Sequence, residues 1–329
     1  MLYPRFIRFI VAASGATLLG VASLSTAWAQ VYPTKPIRII VPAAAGGITD
    51  ILGRAVGQKL SEQVGQPVVI DNKPGANGII GMEAAAKSAP DGYTLVVGYT
   101  ATLAINPSLY SKLPYDPVKD FAPITPALSL SLVVIAHPSV PAKNLKELIA
   151  LGKAKPGQLS YGTAGIGATG HLAMELFKTL TGADFTHVPY KGNAPAYTDL
   201  LGGQVQLMFA DVPGSLGYIK ANRVQAFAIT SPRRSPMIPD VPTVTEAGLA
   251  GFEPNILFGF LAPAGIPRDI VTRLNTEIVK VLKDPAFGQR FAAQAAEVVH
   301  SSPEEYAEYI KADIPKWAKV VKASGAKAD

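Results

Sequence analysis

Strand and helix signals alternate along this chain in two series. The first begins with the apolar run Ile37 to Val41, continues through a helix pattern at 49–64, and closes with a strand pattern at 93–98. The second begins with the apolar run at 130–137 and contains helix patterns at 145–153, 170–180 and 194–201, with strands between them. A repeating strand–helix order is typical of a sheet whose strands run mainly parallel between covering helices. The chain is therefore predicted to be an α/β protein with two lobes, each a mainly parallel sheet flanked by helices.

The end of the chain indicates how the two lobes are connected. One late strand, starting near Leu257, is followed almost entirely by helix patterns at 268–283, 286–295 and 303–313. A chain that ends in this way is expected to return and pack on the first lobe, with crossings near 125–130 and 252–257. The predicted division is residues 30–127 with 255–329 for lobe I and residues 128–254 for lobe II.

The N-terminus has the pattern of a secretory signal. Arg5 and Arg8 precede an uncharged apolar stretch at 9–26, and Ala27 and Ala29 supply the small residues of a cleavage site. A membrane anchor is the alternative, but the stretch is short and ends in a cleavage pattern. The chain contains no cysteine, so neither a disulfide nor a cysteine-linked lipid is available. Residues 1–29 are predicted to be a signal peptide, and the mature protein is expected to be free in an exported compartment.

The charge balance argues against nucleic acid as a partner. The chain has 30 basic and 24 acidic residues, and removing the two arginines of the signal leaves 28 against 24, or +4. The basic residues are scattered among acids, and the densest cluster is only Arg233 and Arg234. No nucleic-acid partner is expected.

Three glycine-rich junctions connect strands to helices. They are Ala45-Gly46-Gly47 before Thr49, the segment DNKPGANG at 71–78, and the segment GTAGIGATGH at 162–171. Each leads into a helix whose first N–H groups have no partner within the helix, and the helix dipole adds a partial positive charge there. Together the three junctions could hold a carboxylate without any arginine.

Other chemistries fit these residues less well. The third junction contains a formal G-x-G-x-x-G pattern from Gly165 to Gly170, so an exported or mislocalised α/β enzyme with a nucleotide cofactor stays open as the alternative. The next strand, however, has Asp184 at its start and no acid at its end. The four histidines show no metal-binding spacing, and no P-loop or nucleophile elbow occurs. Asp50 and Asp211 are lone acids that either cap helices or contact a ligand, and His171 either caps its loop or donates to a ligand.

Several segments, in order along the chain, carry a family resemblance. They are YPTKPIRIIVPAAAGGITD, GQPVVIDNKPGANGIIG, AAKSAPDGYTL, GTAGIGATGHLAMELFK, HVPYKGNAPAYTDLLGGQVQLMF and FLAPAGIPRDIVTRLN. This set resembles the tripartite tricarboxylate transporter receptor family, the Bug-type periplasmic solute-binding proteins, across essentially the whole mature chain. The resemblance implies a two-lobed periplasmic binding protein of the type II arrangement. Such a protein closes on a small organic carboxylate and presents it to the membrane subunits of a tripartite transporter. It also implies a monomer with no catalytic activity, no cofactor and no metal.

The resemblance further implies a set of ligand contacts. From lobe I they are Ala45, Gly46, Thr49, Asp50, Thr100 and Thr102. From lobe II they are Gly165, Ile166, Gly167, Ala168, His171, Tyr190, Asn193 and Asp211. The chain departs from the family pattern at Tyr99, Asn193 and Leu257, which are expected to border the distal end of the ligand. The sequence leaves open an aliphatic or aromatic acid with one carboxylate or two.

Overall fold

A computed structural model describes residues 32–252, 254–292 and 295–328. The chain divides into two units, Met1–Thr34 and Lys35–Asp329. In the first unit only residues 32–34 are described, and the peptide bond between Tyr32 and Pro33 is cis. The predicted signal peptide, residues 1–29, lies outside the described residues. Within the described ranges no helix is long and apolar enough to span a bilayer.

The second unit is built from strands and helices that alternate over most of its length. The strands are β1 (Ile37–Val41), β2 (Val68–Asn72), β3 (Thr94–Tyr99), β4 (Phe121–Leu130), β5 (Leu132–Ala136), β6 (Ser160–Thr163), β7 (Thr186–Pro189), β8 (Leu207–Asp211), β9 (Gln225–Ile229), β10 (Ile256–Pro263) and β11 (Ala296–Val298). The helices are α1 (Ile48–Val64), α2 (Ile79–Ala86), α3 (Asn106–Leu109), α4 (Leu145–Ala154), α5 (Thr169–Thr181), α6 (Asn193–Leu201), α7 (Val212–Lys220), α8 (Arg268–Leu282), α9 (Pro285–Ala292) and α10 (Pro303–Ser324). A 3₁₀ turn at Ala76–Gly78 and a wide π-type turn at Ala101–Ile105 complete the helical segments.

The strands form two sheets, as predicted, but both sheets are mixed instead of mainly parallel. The first has the order β11-β4-β10-β3-β1-β2, and the second has the order β7-β6-β8-β5-β9. The strand–helix repeats give the parallel pairs, β1 with β2 and β3, and β6 with β7 and β8. By contrast, β10 is antiparallel to β3 and β4, and β5 is antiparallel to β8 and β9. The reason is connectivity: β4 leads out of the first sheet and β10 leads back into it, so the two run in opposite directions.

The long strand β4 has no counterpart in the sequence prediction. Its segment FAPITPALSL contains Pro123 and Pro126, and proline cannot donate to a sheet ladder. The pairing with β10 shifts register between Phe258 and Gly259 and again between Phe260 and Leu261, and Gly259 and Leu261 are the partners of the two prolines. Bulges therefore accommodate both prolines inside a ten-residue strand.

Two crossings connect the sheets, and side chains hold them side by side. Only Ser131 separates β4 from β5. The Thr230 hydroxyl accepts a hydrogen bond from the Leu132 N–H at 2.8 Å and donates to the Asn255 side chain at 2.8 Å. The Thr100 hydroxyl accepts from the Leu257 N–H at 2.9 Å. The start of β5, the end of β9 and the start of β10 are thus tied together where the chain changes sheets.

The C-terminal helices return to the first sheet, as predicted, but they also reach the second. Helix α8 packs on α1 and β4, whereas α10 packs on β4, on the π-type turn and on α5. One cluster of buried residues joins Ile105 of the π-type turn, Phe177 of α5 and Trp317 of α10. Trp317 is fully buried and donates through Nε1 to Asp313 at 2.9 Å. The hydrophobic core is therefore continuous between the two sheets on the side that α10 covers.

Candidate functional site

A cleft of about 570 Å³ is lined by residues from both sheets. Its volume lies within the range of small-molecule sites. The first sheet and its connections contribute Gly47, Ile48, Asn77, Tyr99, Ala101, Leu130 and Ile256. The second contributes Leu132, Ala164, Gly167, Ala168, Thr169, Gly170, Asn193, Phe209, Asp211 and Pro213.

The first glycine junction places Gly47 and Ile48 on the cleft, and Asp50 lies behind them. The Asp50 carboxylate is 3% exposed and accepts from the Gly46 N–H at 2.9 Å, from Arg54 Nε at 3.0 Å and from Asn72 Nδ2 at 2.9 Å. The hydrogen bond from Arg54 is the largest cause that lowers the pKa of Asp50 to about 2, against the opposing effect of burial. Asp50 therefore fixes the loop between β1 and α1.

The other predicted residues of this junction, Ala45, Gly46 and Thr49, are not among the residues that line the cleft. Thr49 is buried in the first turn of α1, and the Gly46 N–H is bonded to Asp50. The residues between them, Gly47 and Ile48, face the cleft instead.

In the segment after β3, the two predicted threonines are likewise buried and do not line the cleft. Thr102 is fully buried, and its hydroxyl accepts from the Tyr99 N–H at 3.0 Å and donates to the Tyr99 carbonyl at 2.9 Å. Thr100 is buried and bonded at the crossing into β10. Neither threonine lines the cleft, whereas Tyr99 does, and burial raises the pKa of its phenol to about 12. The two threonines hold Tyr99 and the crossing in place.

The second-sheet glycine junction places Gly167 and Ala168 on the cleft but not Gly165 or Ile166. The Ile166 side chain is exposed to solvent. His171 is buried, and its Nδ1 accepts from the Gly167 N–H at 3.1 Å. Because that interaction requires an unprotonated Nδ1, His171 acts on the loop as an acceptor.

A second histidine, His187, packs against the ring of His171. The rings of His171 and His187 stack with their centroids 3.9 Å apart, and His187 Nε2 lies 2.7 Å from the Thr163 hydroxyl. Burial lowers the pKa of both imidazoles, that of His187 to about 4, and the neighbouring His171 lowers the pKa of His187 further. At neutral pH both imidazole rings are therefore uncharged, and in this state they contact the glycine junction between β6 and α5.

The remaining predicted residues divide into two groups. Asn193 begins α6 and lines the cleft, and Asp211 lines it at the end of β8. Asp211 Oδ1 also accepts from the Gly214 N–H at 2.7 Å, so this acid caps α7. Tyr190 does not line the cleft, and its hydroxyl donates to Asp199 at 2.7 Å.

Three helix N-termini contribute to the cleft lining. They belong to α1 through Gly47 and Ile48, to α5 through Ala168 and Thr169, and to α6 through Asn193. No side chain of the described residues caps any of the three. Free N–H groups and the helix dipoles favour an anion at such positions, each contact contributing about 0.3–1 kcal/mol and up to about 2 when partly buried. The cleft is therefore suited to an anion.

Asn77 is a cleft residue that was not predicted, and Leu257, which was expected to border the ligand, does not line the cleft. Asn77 lines the cleft from the second glycine junction, where four consecutive residues, 75–78, have positive φ values between 46° and 120°. Its side chain donates to Asn106 Oδ1 at 2.8 Å, which holds this unfavourable backbone. The sequence signal for this backbone was the pair of glycines in the segment DNKPGANG. Leu257 lies outside the cleft and Ile256 lines it, because successive strand residues point to opposite faces.

The nucleotide alternative finds little support in this geometry. Strand β7 ends at Pro189, so no acid follows it to bind a ribose, and the Gly167 N–H is bonded to His171. Within the described residues no group of three or more histidines and acids could hold a metal ion.

Fold and cleft together define a class of protein, the two-lobed periplasmic binding proteins of the type II arrangement. Comparison with known proteins identifies the family within that class: residues 52–326 match the tripartite tricarboxylate transporter family receptor. The chain belongs to this family and is a solute-binding receptor of that kind.

Individual relatives agree with this assignment. BugT of Bordetella pertussis is 39% identical over 300 residues, which cover 91% of this chain and 92% of BugT. A solved periplasmic transporter structure is 43% identical with a TM-score of 0.75, covering 91% of this chain and all of the other. The structure of R. palustris Rpa4515 with adipate is 36% identical with a TM-score of 0.76, covering 90% of this chain and 99% of the other.

Proposed function

We propose that this chain captures a small organic carboxylate in the cleft and delivers it, unchanged, to the membrane subunits of a tripartite tricarboxylate-type transporter. The observation that carries the proposal is the convergence of three side-chain-free helix N-termini on one cleft. The adipate bound to the related Rpa4515 is a carboxylate of the expected kind. Capture and release need moderate affinity, which neutral amides provide without a buried ion pair.

The lobes and the compartment belong to the same proposal. Lobe I comprises 30–127 and 255–329, and lobe II comprises 128–254. The membership of the two sheets supports this division except at 128–130, which end β4 of the first sheet. The Ser131 crossing and the hydrogen bonds of Thr230 and Asn255 lie where a hinge between these lobes would bend. The receptor acts as a monomer in the periplasm after removal of residues 1–29.

We assign different roles to the predicted site residues. Direct contact with the ligand comes from Gly167, Ala168, Asn193 and Asp211, joined by the N-terminus of α1 at Gly47 and Ile48. A supporting role is assigned to the other predicted residues. Those that are buried or hydrogen-bonded are Gly46, Thr49, Asp50, Thr100, Thr102, Gly165, His171 and Tyr190, whereas Ala45 and Ile166 are exposed members of the same loops. These residues hold the loops that present the amides.

Ligand panels on the mature chain, starting at Gln30, test the function. Mono- and dicarboxylates should raise the melting temperature, since a ligand at 100 times its Kd contributes about 2.7 kcal/mol. Sugars, amines and neutral compounds should not. A shift produced only by non-carboxylates would overturn carboxylate capture, and formation of a chemically changed product would overturn the receptor role.

A proline substitution tests the amides themselves. Ile48 is the first helical residue of α1, where proline is tolerated because the N–H has no partner within the helix. Gly47 already has the extended conformation that a following proline requires. Ile48→Pro should weaken carboxylate binding about tenfold, the effect of one lost charge-assisted hydrogen bond of about 1.5 kcal/mol. Arg268→Pro makes the same change at the start of α8, away from the cleft, and should leave binding unchanged.

A further inference from the structure

The charges of the cleft restrict which carboxylate it accepts. Among the described residues that line it there is no lysine, arginine or histidine, and the single ionisable acid is Asp211. The cleft therefore has a region suited to an anion, at the N-termini of α1, α5 and α6, and one anionic side chain, that of Asp211. A second ligand carboxylate would be repelled by Asp211 where the two come close, and along the apolar part of the lining it would lose hydration without a charged partner.

The apolar wall is extensive. Leu130 and Leu132 contribute from either side of the Ser131 crossing. Phe209 contributes from β8, Ile256 from the start of β10 and Tyr99 from the end of β3. Burying a methylene group against such a surface raises affinity about fourfold. A ligand with an apolar body fits this wall better than a short polar acid does.

Asp211 has acceptor capacity beyond its capping role. Its Oδ1 accepts from the Gly214 N–H at 2.7 Å, and an ionised carboxylate can accept several hydrogen bonds. The side chain lines the cleft, so a hydroxyl group on the ligand can donate to it. The same carboxylate repels a ligand carboxylate, so it separates these two ligand types by charge alone.

We propose that the ligand is a monocarboxylate with an apolar body that carries a hydroxyl group, the carboxylate binding at the helix N-termini and the hydroxyl donating to Asp211. This inference rests on the proposed function and narrows its ligand class. It excludes dicarboxylates as the preferred ligands of this chain.

Calorimetry with three six-carbon acids of matched length tests the proposal. Hexanoate has one carboxylate, 6-hydroxyhexanoate adds a donor, and adipate replaces that donor with a second carboxylate. The hydroxy acid should bind at least tenfold more tightly than adipate, with hexanoate between them. Benzoate, 4-hydroxybenzoate and terephthalate repeat the comparison on a ring.

The Asp211→Asn variant tests whether the charge of Asp211 causes the preference for the hydroxy acid over adipate. Asparagine is as good a helix cap as aspartate, so α7 should keep its start and the variant should fold. In the variant the preference for the hydroxy acid over adipate should fall at least fivefold, because the repulsion is gone. A preference that Asp211→Asn leaves unchanged would overturn the role of Asp211.

Two further outcomes separate this inference from the proposed function. Adipate or terephthalate binding more tightly than the matched hydroxy acid would overturn the inference and leave carboxylate capture standing. Absence of binding by all six acids at millimolar concentration would overturn the inference, and it would overturn carboxylate capture as well if no acid of the wider panel raised the melting temperature.

Discussion

Asp50 offers the most direct check on how the cleft is built. The three hydrogen bonds to its carboxylate join the Gly46 loop, helix α1 and strand β2. Its pKa falls from 3.8 to about 2, a shift of roughly 1.8 units, and at about 1.36 kcal/mol per unit this corresponds to about 2.4 kcal/mol of folding free energy. Because the partner Arg54 is 53% exposed, screening by solvent reduces the expected contribution to about 1–2 kcal/mol.

The sign of the pH dependence follows from the lowered pKa. A carboxyl group whose folded pKa lies below its unfolded pKa stabilises the protein above the unfolded value, here 3.8, and loses that effect as the pH falls through about 2. The full contribution should be present at pH 5 to 7. About half of it should remain at pH 3.

Urea unfolding of the mature wild type and of Asp50→Asn measures this effect. Asparagine keeps the shape of the side chain but removes the charge, so the variant should be about 1–2 kcal/mol less stable at pH 7, with a gap about half as large at pH 3. Glu308→Gln is the control, because Glu308 forms an exposed pair with Lys311 and should change stability by less than about 0.5 kcal/mol. Equal stability of Asp50→Asn and wild type at pH 7, or a gap independent of pH, would refute the reasoning.

Three other substitutions probe the second sheet. Gly167→Ala should cost about 1–3 kcal/mol, since φ is +76° and a Cβ there would collide with Leu109; unchanged stability in urea would contradict this. Tyr161→Phe should cost about 1–3 kcal/mol, because it removes a buried 2.6 Å hydrogen bond to Glu175, and an unchanged melting temperature would count against it. His187 has a folded pKa of about 4, below the usual 6.5, so its stabilising effect is present above pH 6.5 and lost as the pH falls towards 4. His187→Asn should reduce that loss by about 1–3 kcal/mol; an unaltered pH profile would show that another group causes it.

Matched controls exist for two of these changes. Gly217→Ala lies in α7 with nothing within contact distance of the added Cβ, so its stability should stay the same or rise slightly. His137→Asn, which changes a partly exposed histidine whose Nδ1 lies 2.7 Å from the Ser139 hydroxyl, is the control for His187→Asn.

Local patterns in the sequence account for much of the fold. The cap of α4 is one such pattern, with the Asn144 side chain accepting from the Glu147 N–H at 2.9 Å. The pair between Asp50 and Arg54 is another, since residues four apart share one helix face. Such features depend on neighbours within one turn of helix, so the sequence is sufficient to predict them. Strand β4 was missed because its two prolines are tolerated only through bulges against β10, which lies more than 120 residues further along the chain.

The sequence by itself determined two α/β series, three glycine junctions and membership of a receptor family, because periodicity, turn residues and ordered motifs are local properties. Only the tertiary structure decided which residues of each junction reach the cleft. Gly47 and Ile48 line it while Asp50 lies behind them, because Arg54 of α1 and Asn72 of β2 hold the Asp50 carboxylate. The charge of the cleft, too, is decided only by the tertiary structure. Asp211 becomes its single carboxylate, among the described residues, only when elements from two sheets meet, since the field at a site depends on every residue that surrounds it.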